Sequence, residues 1–200
     1  HKSNLQRFVY ISSSMVYGDF KKKTASEEDI CEPIELYGTM KLSGEIITKG
    51  LCKFFKIKYS IIRPSAVYGP TDMNNRVSQI FIEKALKGEE ITIQGKKESL
   101  DFTYVEDLVN GIILSATKKG GINETFNITR GKAEKLVSFV KILAARIKNI
   151  KIKIVTRDSF RPVRGTLSVK KAKKLLNYNS KFSLVNGLKK YLDFLDEFKK

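Results

Sequence analysis

The chain has 200 residues, 42% of them hydrophobic and 10% aromatic, enough to bury the core of one domain or two small ones. Its formal net charge of +17 rests on thirty lysines and eight arginines. The lysines are scattered singly or in short runs, which reads as a solvated surface and not as a nucleic-acid interface. The single histidine, at position 1, excludes histidine-based catalysis and most zinc sites, so no metal is expected. Cys31 and Cys52 have no metal-ligand spacing and read as free thiols of a reducing cytoplasm.

In chain order, RFVYIS (7–12) reads as a buried parallel strand ending in small polar residues. Such a strand directly after His1 reads as a chain cut into rather than a natural start. Residues 19–33 are charged, contain Pro33 and form a loop. From Leu36 to Phe55, Leu42, Ile46, Ile47, Leu51, Phe54 and Phe55 recur at helical spacing, which predicts an amphipathic helix. KYSIIRP (58–64) is a second buried strand stopped by Pro64. Together they make a strand–helix–strand unit of a parallel, doubly wound sheet.

Further on, 77–88 predicts a helix with a glycine stop, 91–95 a short strand, and 103–121 a segment containing a helix. TFNIT (125–129) is a strand, 133–149 an amphipathic helix, and IKIKIV (150–155) alternates as an edge strand does. Two helices, near 168–176 and 184–198, finish the chain. The apolar runs are broken by charge and proline well short of a membrane span, and no targeting segment is visible.

The chemistry gathers around YGTMK (37–41). Lys41 lies one helical turn after Tyr37, so the two share a face. Upstream, ISSSMVYG (11–18) puts serines at the C-terminal end of the first strand, where ligands bind in open α/β sheets. RPSAVYGP (63–70) ends the second strand at the same edge. A phenol is a poor base at neutral pH, and a nearby ammonium favours its ionised form. Ser13 can orient a substrate hydroxyl whose proton Tyr37 takes.

Five stretches, FVYISSSMVYG, YGTMK, RPSAVYGP, LDFTYVEDLVNGI and RPVRGTLSVKKAKKLLNY, together resemble the C-terminal part of extended short-chain dehydrogenase/reductases, the NAD-dependent nucleotide-sugar epimerase/dehydratase family. The resemblance implies an α/β fold: a partial Rossmann-like parallel sheet plus a smaller α/β substrate-binding part. Residues 1–72 would be the end of the NAD-binding domain, and 73–200 mainly the nucleotide-sugar-binding part with some segments returning. It implies Ser13, Tyr37 and Lys41 as catalytic residues. Ser12, Tyr37, Lys41, Pro64, Ser65 and Val67 would lie against NAD. Ser13, Ser14, Ala66, Ile93, Gln94 and Arg161 would meet the substrate, a nucleotide-diphosphate sugar.

The chain departs from the family pattern in four ways. The glycine-rich strand-turn-helix is absent from these residues. Ala66 stands where many members have asparagine, and Leu100 where many have arginine. Ser14 and Met15 follow Ser13 where dehydratases have an acidic pair. The expected activity is therefore C4 epimerisation through a 4-keto sugar, in a cytoplasmic homodimer formed through the Tyr37 helix. The alternatives are a ketoreductase or dehydratase relative, or an inactive truncated remnant that only binds nucleotide sugar.

Overall fold

A computed structural model of the chain describes residues 5–198. In chain order the elements are β1 (Phe8–Ile11), β2 (Thr24–Ala25), α1 (Leu36–Phe54), β3 (Tyr59–Arg63), β4 (Val67–Tyr68), α2 (Val77–Lys87), β5 (Ile91–Gln94), β6 (Ser99–Leu100) and β7 (Thr103–Tyr104). They continue with α3 (Val105–Thr117), β8 (Glu124–Asn127), β9 (Glu134–Lys135), α4 (Leu136–Ala144), β10 (Ile152–Val155), β11 (Thr166–Leu167), α5 (Lys170–Leu176) and α6 (Leu184–Phe198). The helices and longer strands fall where periodicity puts them. The two-residue strands are too short to leave a periodic signal.

The main sheet is parallel with order β1–β3–β8, so a late strand returns beside an early one. Side chains alternate across β3. Ile62 joins Leu108 of α3, Phe126 of β8 and Leu176 of α5 in one cluster, while Arg63 points to the opposite face and bonds to Glu45 of α1. The sheet is thus covered by α3 and α5 on one side and α1 on the other. The largest core lies beyond it, where Phe81, Ile91, Ile93, Phe102, Phe139 and Leu188 pack together from α2, β5, α4, α6 and the segment between β6 and β7. Gly88 ends α2 in the left-handed conformation (φ 68°), the glycine stop expected there.

One expectation is corrected, and one point left open is decided. Among the described residues the first strand stands at the sheet edge instead of being enclosed: β1 pairs with β3 alone, and Phe8 and Ile11 are 42% and 36% exposed. The apolar stripe of α1 faces outward. Ile46, Ile47, Leu51, Phe54 and Phe55 are exposed, and the buried positions are Gly38, Glu45, Thr48 and Cys52. Periodicity reveals that a stripe exists but not which way it faces.

Candidate active site

Parallel pairing brings the C-terminal ends of β1 and β3 side by side, and the pairing continues into the loops. Ser12 N donates to Ile62 O (2.7 Å) and Ser14 N to Pro64 O (2.9 Å). A short 3-10 turn over Ser14–Tyr17 follows, capped by Ser13 Oγ, which accepts the Met15 amide proton at 3.2 Å. The start of α1 sits on this turn. A Cβ on Gly38 would lie 2.6 Å from Met15 O, so glycine beside Tyr37 permits the close approach.

Lys41 Nζ donates to Ile11 O at 2.9 Å and lies 5.7 Å from the centre of the Tyr37 ring. The ammonium is therefore anchored to the strand end and held beside the phenol. Tyr37 itself is 47% exposed.

These groups open on a cavity of about 810 Å³. Of the residues expected at the site, Ser12, Ser13, Ser14, Tyr37, Lys41, Pro64, Ala66, Val67, Gln94 and Arg161 line it. Two do not. Ser65 is 4% exposed and buried between its cavity-lining neighbours. Ile93 is fully buried in the large core, because alternation along β5 turns Ile91 and Ile93 inward and sends Thr92 and Gln94 to the cavity. The period of two in ITIQ was a usable signal for that difference. Ala66 adopts a positive φ of 38°, a conformation in which asparagine is enriched.

The far wall carries charge that residue type alone does not rank. Arg161, expected to meet substrate, has a side chain 68% exposed and ion-paired to Asp158 at 3.4 Å. Arg157 pairs with Glu98 at 3.0 Å. Arg164 is half-buried, and its Nη1 contacts the Met15 sulfur at 3.4 Å. Burial pushes its pKa down to about 10, against the pull of Glu35 and Glu98. Among the described residues no carboxylate pairs with Arg164. Asn75, Arg76 and Ser78 at the start of α2 also line the cavity. The Asp107 carboxylate accepts the Lys181 and Phe182 amides at 2.7 and 3.0 Å and ties α3 to the segment before α6.

Beneath the floor lies a buried polar network that sequence reasoning missed. Arg63 bonds both Glu45 oxygens, Nε to Oε1 at 2.8 Å and Nη2 to Oε2 at 2.7 Å. Ser12 Oγ donates to Glu45 Oε1 at 2.5 Å. Arg63 Nη1 donates to Tyr17 Oη (2.9 Å), which donates to Asn127 Oδ1 (2.8 Å). Burial opposes the Arg63 charge, but the Glu45 carboxylate and Tyr17 outweigh it and hold the guanidinium pKa above its ordinary value. The Ser12 hydroxyl proton is thus engaged within the protein. Among the described residues no cluster of acidic, histidine or cysteine side chains suits a metal ion, and no helix is long and apolar enough to cross a membrane.

Residues 1–129 match the family pattern described as the NAD dependent epimerase/dehydratase family. An uncharacterized UDP-glucose epimerase of Bacillus subtilis, YtcB, is 32% identical over 196 residues, covering 96% of this chain and 61% of that protein. Among solved structures, UDP-glucuronic acid 4-epimerase from Bacillus cereus, in complex with UDP-glucuronic acid and NAD, superposes with a TM-score of 0.91 at 28% identity. That match covers 98% of this chain and 63% of the other. UDP-glucose 4-epimerase of Thermotoga maritima with UDP-glucose gives 0.90 at 29% identity, over 98% and 65%. The chain thus spans about three-fifths of the proteins it resembles and, on the match over residues 1–129, belongs to the NAD-dependent epimerase/dehydratase family.

Proposed function

We propose that the chain carries the catalytic and sugar-nucleotide-binding part of a nucleotide-sugar 4-epimerase. One observation carries the reading: Lys41 is fixed to the end of β1 with Tyr37 beside it, in a cavity that also contains Ser13 and a wall of arginines. The strand-end serines, the ammonium and the phenol suit the hydroxyls of a nicotinamide ribose, and Pro64 and Val67 offer apolar contact beside it. When bound, NAD supplies the hydride acceptor and donor. Tyr37 Oη takes the proton of the sugar C4 hydroxyl and later returns it, and Lys41 favours the phenolate. Ser13 Oγ orients that hydroxyl, exchanging its present bond to the Met15 amide for one to substrate.

The diphosphate falls to Arg164 and Arg161. Arg164 is the stronger candidate, since Arg161 already has Asp158. Gln94 and Thr92 face the same cavity and suit the base. Residues 1–72 would form the cofactor side, with β8 returning to it, and 73–200 mainly the substrate side. Ketoreduction shares this machinery and remains the second reading. Dehydration needs an acid and a base beside Ser13, and Ser14 and Met15 supply neither. The exposed apolar face of α1 (Leu36, Met40, Ile47, Leu51 and Phe54) supports a homodimer through that helix.

The test incubates the full-length protein, loaded with NAD, with UDP-glucose and UDP-glucuronic acid. The expected result is the C4 epimer by NMR with no net change in absorbance at 340 nm. A 4-keto product formed with loss of water would make the protein a dehydratase, and a 4-keto product formed with one equivalent of released NADH, ketoreduction run in reverse, a ketoreductase. No turnover of any nucleotide sugar would sink the reading.

A further inference from the structure

We propose that the buried Glu45–Arg63 ion pair is a positioning device. It holds the helix bearing Tyr37 and Lys41 in register with the strand end bearing Ser13. Its kinetic consequences rest on the enzyme reading above; the structural one does not.

Apolar packing seats α1 only in part, through Cys52 and the half-buried Leu42. Its inward positions are Gly38, Glu45, Thr48 and Cys52, while Leu36, Met40, Ile46, Ile47, Leu51 and Phe54 face outward. Directed bonds hold the observed face against the sheet, and the helix's one buried charge makes them. Glu45 lies one turn beyond Lys41, is 1% exposed and accepts three bonds, from Ser12 Oγ, Arg63 Nε and Arg63 Nη2.

Every element of the site's floor is tied to this pair. Ser12 immediately precedes Ser13. Arg63 immediately precedes Pro64, which lines the cavity. Arg63 Nη1 reaches Tyr17 at the end of the 3-10 turn, and Tyr17 reaches Asn127 at the end of β8. None of Glu45, Arg63, Tyr17 and Asn127 lines the cavity, so the group acts through its neighbours and touches no reacting atom. A buried ion pair adds little net stability over well-packed apolar side chains, and fixing register is its best-attested use.

Two variants of the full-length protein test this: Glu45→Met with Arg63→Met, which replaces the pair by apolar side chains without leaving a lone charge, and Tyr17→Phe, which removes one bond to Arg63. Each is followed by thermal unfolding, by amide hydrogen exchange in segments 12–17 and 36–45, and by kcat, KM and the pH–rate profile. The double variant is expected to stay folded, to exchange faster in those two segments, and to lose about 10–100-fold in kcat at near-constant KM. Its pH–rate profile should also move, because a shifted helix loosens the bond from Lys41 Nζ to Ile11 O that holds the ammonium beside Tyr37. Tyr17→Phe should show the same pattern at about 3–10-fold.

A folded double variant with wild-type exchange in both segments, or with wild-type kcat and pH profile, would overturn the proposal. If the double variant does not fold, Tyr17→Phe decides by the same criteria. If the wild type turns over no nucleotide sugar, the enzyme reading fails and the exchange measurement still decides this one.

Discussion

Helices α1 and α4 are seated by opposite physics. α4 buries Leu136, Phe139, Val140 and Leu143, and the Phe139 ring lies 4.8 Å from that of Phe102, 6.0 Å from Phe81 and 6.4 Å from Tyr68, centre to centre. α1 buries a carboxylate and small residues, half-buries Leu42 and turns its other large apolar side chains out. Area is non-directional, so it holds α4 firmly without specifying its position finely. Bonds between charged groups fail with small displacements, so they specify α1 closely while adding little stability. The helix that carries Tyr37 and Lys41 is the one that has to be exact.

Three measurements break or sharpen this contrast. The largest effect belongs to Tyr37→Phe, which removes one oxygen from a half-exposed side chain. Turnover should fall on the order of 10²–10⁴-fold with the unfolding midpoint unchanged. A near-wild-type rate would remove Tyr37 from proton transfer. On the α4 side, Phe139→Ala empties a fully buried position and should cost about 3–5 kcal/mol in denaturant unfolding. A loss below about 1 kcal/mol would show that area is not what seats α4.

The smallest effect comes from Asp101, a buried carboxylate held by neutral donors where Glu45 has a guanidinium. Its Oδ2 accepts from Thr129 Oγ1 and Leu167 N, each at 3.1 Å. Burial pushes its pKa up from 3.8 to about 6, although these donors pull it down. Between those two values the folded state keeps a proton that the unfolded state has lost. The group's contribution to stability is therefore present at low pH and is lost as pH rises through that window, by about 2–3 kcal/mol. Comparing wild type with Asp101→Asn at pH 4 and pH 7 should show the wild type losing that much relative to the variant. Parallel stability curves would mean that Asp101 does not titrate there.

Much of this was legible before folding. The i, i+4 spacing of Tyr37 and Lys41, the serines closing the first strand and the RPSAVYGP segment converge because parallel strands must end at one edge. Ten of the expected site residues do line one cavity. The exceptions are residues whose neighbours line it: Ser65 and Ile93 are turned away by the backbone. Arg161 and Arg164 are alike in type, and only their surroundings separate the ion-paired one from the half-buried one.

The amino-acid sequence by itself determined the order of helices and strands and the chemical groups at the strand ends, because periodicity and local spacing are properties of neighbours along the chain. Only the tertiary structure decided which face of α1 turns inward, which arginine is enclosed, and that Glu45, Arg63, Tyr17 and Asn127 form one network. Glu45 and Asn127 are 82 residues apart in the chain. Nothing local records that contact; it exists only once β8 has come to lie beside β3, at the sheet edge where Arg63 reaches both α1 and the turn.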